Sequence, residues 1–422
     1  MRRFLLILLL TAGLGAALAA QEAGPASAAS LPPDWQAGFS EQTAYNSDVL
    51  ESQPFPIADW EQDVAAIIRL QGESPTGYWK FQYRPYAEFF RRYSALDSFN
   101  QLGDLKAGTW LTPRLQLNSR SSFGYLDALP NNTLSGLQPL ARTQTYAVFP
   151  RTREEAVRTQ LGLLYMLSPR ASVEIFGGYR LRRFPQDSNL TGERGTQAGL
   201  NYRYQWSLRT RLGMTYLYQN MSLGSSSHLA ADSVFLSWRH AFTPDDSLRL
   251  FAGPQYSHVH DTLKFQLPFQ LLGAPVTLVE RFNRARTYPA YGGRLAHRGH
   301  SWRWSVSALS EISNGGGVLP FPVSMAETRL RLGPRLSRHW RLRFGLHYSW
   351  MNALAGGALS SRVQMAAAGV ELRRQLNRQL SLGLNYNYLI QHSHGLFPMT
   401  PAINRNFIGL RLAYRWHTRR ND

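Results

Sequence analysis

The sequence predicts an all-β fold: a transmembrane antiparallel up-and-down β-barrel of about 18 strands. The first observation is period-two alternation, which puts successive side chains on opposite faces of a strand. In Ala326–Trp350, Leu330, Leu332, Pro334 and Leu336 share one face, and Arg329, Arg331, Gly333 and Arg335 share the other. After a break at Ser337-Arg338-His339, Leu342, Phe344, Leu346, Tyr348 and Trp350 alternate with Arg341, Arg343, Gly345, His347 and Ser349. Two strands of about a dozen residues with so short a link make an antiparallel hairpin. Strands of soluble sandwiches are nearer about five residues, whereas strands of about ten with an aromatic-tipped apolar face fit a bilayer. The second observation is that short and long connections alternate along the chain. The third is that no apolar run of about 20 residues follows the N-terminal segment, so no transmembrane helix competes with the strands.

In chain order, Met1-Arg2-Arg3, the apolar run Phe4–Leu10 and the small residues Ala17-Leu18-Ala19-Ala20 read as a cleaved secretory signal peptide over 1–20. Residues 21–36, rich in Ala, Pro and Ser, read as a flexible lead-in. The barrel is expected over 37–417, with a short periplasmic tail at 418–422. Strands are expected at 37–49, 60–71, 77–91, 100–111, 113–126, 155–167, 171–183, 195–205 and 207–220. They continue at 229–241, 247–260, 286–297, 301–312, 323–336, 339–353, 360–374, 378–392 and 404–417.

Every second connection is short, as at Thr112, 168–170, 205–206, 337–338 and 375–377. The others are longer and richer in Gly, Pro, Ser and Asn, among them 50–59, 127–154, 185–194, 261–285 and 393–403. Transmembrane barrels have this asymmetry, with short periplasmic turns and long external loops. Both ends of the barrel then fall on the short-turn side, which requires an even strand number. The apolar stretch 263–279 (LKFQLPFQLLGAPVTLV) reads as two further short strands above the membrane in preference to a constricting loop.

Formal charge is +19, from 46 Lys and Arg against 27 Asp and Glu. Nucleic acid is not the expected partner, because the arginines are spread along strands and no DNA- or RNA-binding motif is present. The absence of cysteine excludes disulfides and thiolate metal sites. Alternation accounts for the charge instead. Residues such as Leu212, Met214, Tyr216, Leu384, Tyr386, Ile408, Leu410 and Leu412 would face lipid. The opposite parity carries Arg209, Arg211, Arg303, Arg329, Arg331, Arg341, Arg343, Arg373 and Arg411. An Arg facing the bilayer midplane costs about 2–4 kcal/mol. These arginines are therefore expected to line the lumen and favour anions, with Glu174, Glu311 and Glu371 as acidic counterparts. Eighteen strands about 4.8 Å apart and tilted about 40° give a backbone diameter of roughly 35 Å, wide enough for an aqueous channel.

A recurring phrase joins an aromatic alternating strand, a turn and a second alternating strand. It appears at Leu167-Ser168-Pro169-Arg170, Leu336-Ser337-Arg338-His339 and Leu376-Asn377-Arg378-Gln379, and further matches are Phe251–Tyr256 and Ser313–Gly317. On these phrases, over roughly residues 37–417, the chain resembles uncharacterised outer-membrane β-barrel proteins of Gram-negative bacteria, related to those encoded with exopolysaccharide export systems. The resemblance implies an outer-membrane barrel and supplies no catalytic residue. Many such chains end on an aromatic residue read by the barrel-assembly machinery; here Trp416 is followed by His417–Asp422.

Two H-x-H pairs, His258 with His260 and His392 with His394, are weak metal-ligand candidates, since residues i and i+2 of a strand share a face. The blander reading is polar rim residues. Ser227-His228 and Ser393-His394 supply hydrolase residue types, but adjacent strand residues face opposite ways, so neither makes a dyad. No catalytic residue, metal or cofactor is expected. The expected function is passage of solutes or polysaccharide across the cell outer membrane. The alternatives are a plugged structural or surface-interaction barrel and, behind it, an outer-membrane hydrolase. Expected partners are outer-membrane lipid and lipopolysaccharide, the barrel-assembly machinery, and a polysaccharide or anionic solute as cargo.

Overall fold

The computed structural model describes residues 34–49, 56–126, 153–185, 192–224, 227–271, 274–313, 322–354, 362–394 and 402–417. The expected signal peptide and tail lie outside the described residues, as does most of the lead-in. Alternation produces β1 (Asp34–Asn46), β2 (Asp59–Glu73), β3 (Gly77–Phe90), β4 (Ser98–Thr112), β5 (Leu115–Leu126), β6 (Glu154–Ser168), β7 (Ala171–Arg183), β8 (Glu193–Gln205) and β9 (Thr210–Leu223). It continues through β10 (Ser227–Ala241), β11 (Asp246–Leu271), β12 (Ala274–Arg298), β13 (Arg303–Ser313), β14 (Val323–Leu332), β15 (Trp340–Ala353), β16 (Arg362–Gln375), β17 (Leu380–His394) and β18 (Ile403–His417). Each strand is antiparallel to its chain neighbours, and β1 also pairs with β18 from Gln36 opposite His417 to Asn46 opposite Phe407. The sheet therefore closes on itself as an 18-stranded barrel.

All the expected strands are present, and several boundaries move. β1 begins at Asp34, opposite Gln71, so the last residues of the expected lead-in belong to the barrel. β9 begins at Thr210, which leaves Arg209 in the preceding turn. β14 stops at Leu332, because Gly333-Pro334 follows and proline has no N–H to donate to the ladder. The expected long connection 261–285 is mostly strand: β11 and β12 run on together to Leu271 opposite Ala274. The apolar stretch thus extends its two parent strands, neither closing the lumen as a loop nor forming separate ones.

Outward faces are mostly apolar with aromatic ends, although Gln62 donates to Glu41 on this face between β2 and β1. On β17 the outward residues are Leu380, Leu382, Leu384, Tyr386, Tyr388 and Ile390. At about 3.3 Å per residue and about 40° of tilt, that run stands roughly 25 Å tall, the height of a hydrocarbon band.

Six of the short turns share one device. Ser168 Oγ accepts from the backbone N–H groups of Arg170 and Ala171 at 3.3 and 3.0 Å. Ser337 Oγ does the same for His339 and Trp340, and Asn377 Oδ1 for Gln379 and Leu380. Thr112, Ser207 and Thr243 complete the set. A side-chain oxygen thus satisfies two backbone donors that the turn would otherwise leave open. The recurring Leu-Ser/Asn phrase of the sequence is this turn.

Candidate solute path

Inward positions are fixed by register. Across β9 to β15, direct neighbours form one inward row: Arg211, Arg239, Arg249, Arg294, Ser307, Arg329 and His347. Strands of a barrel are tilted and staggered, so a row of direct neighbours climbs as it goes round. Arg211 is the second residue of β9 at the short-turn rim, while His347 is the eighth of β15. A second row runs Arg341, Arg373, Gly383, Arg411, Gln42, Asp63 and Glu88 over β15 to β3. It begins basic near the short turns and ends acidic near the long loops. Like charges placed directly opposite are destabilising, so Arg211, Arg239, Arg249 and Arg294 in succession weaken the wall they stand on.

Of the nine arginines expected in the lumen, the structure puts Arg211, Arg303, Arg329, Arg331, Arg341, Arg343, Arg373 and Arg411 on inward positions. Arg209 is the exception. It sits in the β8–β9 turn, where its Nη1 donates to the carbonyl of Phe242 in the next turn at 3.3 Å. Its parity was right, but the strand starts one residue later. Arg239, Arg249 and Arg294 were missed. Arg239 lies between Trp238 and His240, where alternation is weak, but Arg249 lies between Leu248 and Leu250 and its alternation is clean.

Partners differ between the two halves of the wall. Near the short turns the paired arginines keep more contact with solvent. Arg343 lies 3.0 Å from Glu371, Arg203 lies 2.6 Å from Glu174, and Arg373 Nη2 donates to Ser381 Oγ at 2.7 Å. Near the long loops most of the inward groups are buried. Arg182 Nε is 3.1 Å from Glu154, Arg180 is 3.1 Å from Glu193, and Asn46 donates to Glu61 at 3.1 Å. Three apolar clusters share this level: Met221, Leu229, Ala231 and Val259 with Ile312 and Leu354; Ala65, Tyr86, Leu102 and Leu126; and Met365, Ala367, Leu389 and Ile403. Glu311 on β13 lies within electrostatic reach of Arg180 on β7.

The H-x-H pairs do not reach the lumen: His258, His260, His392 and His394 are exposed on the outward face. Among the described residues no group of three or more metal-ligating side chains converges. Ser227 is buried on the inward face and His228 exposed on the outward one, so this dipeptide is split by the strand as expected.

No family of proteins matches the chain, and no curated relative does. The chain is similar to several solved structures. The Acinetobacter baumannii protein OccAB3 is 11% identical, with 92% of this chain and 100% of that one covered at a TM-score of 0.44. The outer membrane protein OpdK from Pseudomonas aeruginosa is 11% identical, with 91% and 99% covered at 0.42. The ferric-catecholate import receptor Fiu of E. coli K12 is 8% identical, with 90% and 81% covered at 0.44.

Proposed function

We propose that the chain is a channel of the cell outer membrane that passes solutes and favours anions. The observation that carries the reading is the climbing inward row of Arg211, Arg239, Arg249, Arg294 and Arg329. Several like charges on adjacent strands weaken a wall unless something negative is to be guided along it. The outward apolar band supports a membrane setting, since exposed apolar surface of this extent is unfavourable in water. Anionic cargo, whether small acids or a charged polysaccharide, is concentrated by such a lining, and salt weakens the effect.

The test is the reversal potential of the barrel in planar bilayers across a KCl gradient. Wild type is expected to pass chloride in preference to potassium. Arg331→Glu with Arg343→Glu is expected to reduce or reverse that preference. A conducting wild type that prefers cations ends the reading.

A second reading has an observation of its own. The buried ion pairs and apolar clusters of the long-loop half suit a barrel whose interior is filled at that level, with a structural or surface role. It predicts no conductance at all.

A further inference from the structure

The two H-x-H motifs take no part in the inward rows, and each lies with an arginine at the long-loop end of the outward face. His260 stands directly opposite His228 on β10 and Asn283 on β12. His228 is opposite Ser222 on β9, which is opposite Arg194, the second residue of β8. His258 Nε2 hydrogen-bonds with Asn283 Oδ1, and His228 Nδ1 is 3.4 Å from Ser222 Oγ. Elsewhere on the wall, His394 is opposite Arg362, the first residue of β16, and His392 is opposite Gln364. The Arg362 guanidinium sits 4.7 Å over the ring of Trp350. The histidines and both arginines are exposed.

The order of residues along each strand gives the level. On β11 the outward side chains run Leu248, Leu250, Ala252, Pro254, Tyr256, His258, His260. On β17 they run from Leu380 through Tyr386, Tyr388 and Ile390 to His392 and His394. Apolar, then aromatic, then basic is the sequence of environments met on leaving a bilayer core through its interface to its headgroups. Guanidinium matches phosphate geometry with two parallel hydrogen bonds, and imidazole adds a further donor. The acid on this face of β10, Asp232, is nearer the middle of the strand and accepts the Tyr216 hydroxyl at 2.6 Å.

We propose that Arg194 with His228, His258 and His260, and Arg362 with His392 and His394, bind phosphate groups of glycolipid in the outer leaflet of the membrane. This rests on the outer-membrane setting proposed above. The clusters hold the barrel at a fixed depth and give it a shell of bound lipid at two places on its circumference.

The test uses the full-length protein folded in detergent micelles, with folding checked by its heat-dependent gel mobility. Probes are bisphosphorylated lipid A, the same lipid dephosphorylated, and inorganic phosphate. Wild type is expected to bind the phosphorylated lipid about tenfold or more tightly than the dephosphorylated one, as loss of charge-assisted hydrogen bonds implies. Arg194→Gln with Arg362→Gln removes most of that difference, while Arg194→Lys with Arg362→Lys keeps part of it. Equal binding of the two lipids by wild type overturns the proposal, as does an unchanged preference in the double glutamine variant. Inorganic phosphate that competes at the same concentration as the lipid overturns the lipid assignment. A barrel that conducts but does not discriminate between the lipids refutes this proposal alone. One that discriminates but does not conduct refutes the channel and leaves the lipid sites standing.

Discussion

In the long-loop half of the interior, the side chain of Arg182 is 6% exposed and that of its partner Glu154 is 0% exposed; in the short-turn half, Arg343 is 51% exposed beside Glu371. The same ion pair chemistry thus works under two solvents. Where water is excluded, an uncompensated charge is very unfavourable, and Arg182 stands 3.1 Å from Glu154. Where water remains, screening tolerates like charges side by side, and arginines run in rows. The two halves also differ in sign. Asp59, Glu61, Asp63 and Glu88 gather at one end of the β2–β3 wall, while Lys80 and Arg69 stand toward the other. A solute moving between them would leave a basic, wet mouth for a drier, mixed-charge zone.

The largest effect should come from chemistry that reads this division directly. The chain has no cysteine, so single introduced thiols report without background. Ser257 and Ser349 are each 1% exposed on the inward face, whereas Arg303 is open. In the folded barrel, Ser257→Cys and Ser349→Cys should react with a charged methanethiosulfonate roughly hundredfold more slowly than Arg303→Cys, since reaction must wait for local opening. Similar rates at all three would show that the halves are equally wet.

Next in size is stability. Arg182→Ala strands Glu154 in a dry site and is expected to cost about 3–5 kcal/mol. Arg343→Ala removes an exposed partner and should cost no more than about 1 kcal/mol. Urea unfolding of the barrel in lipid vesicles gives both values, and near-equal losses would erase the contrast. An effect as small as that of Arg343→Ala belongs to the turns, which touch neither interior. Ser337→Ala or Asn377→Ala loses two backbone hydrogen bonds to solvent-exposed donors and should cost about 1 kcal/mol in the same assay.

Much of the architecture was legible because the barrel writes it locally. Alternation exposes each strand, and the turn phrase Leu336-Ser337-Arg338-His339 encodes its own hydrogen bonds. The rows were not legible. Arg211 and Arg329 belong to one row, but only through five intervening strand registers that no single segment specifies. Burial was hidden for a related reason. Asp59, Glu61 and Asp63 alternate as wet lumen acids would, and nothing in their spacing says that they leave water. The H-x-H motifs were visible as rim residues at the long-loop ends, whereas their place on the outward face comes from register.

The junction of β1 with β18 sets this barrel's assembly order. Every other pairing joins consecutive strands, so each can zip as a hairpin over a short stretch of chain. Across the seam, Arg411 Nη2 donates to Ser40 Oγ between residues 371 positions apart. Contacts so remote in sequence form late, because the chain between them must first be ordered by its nearer contacts. Until the seam shuts, the curved sheet carries two bare edges, and each is a template for the matching edge of another copy. Closure therefore races against edge-to-edge joining, and any change that slows the seam gives linear oligomers time to grow.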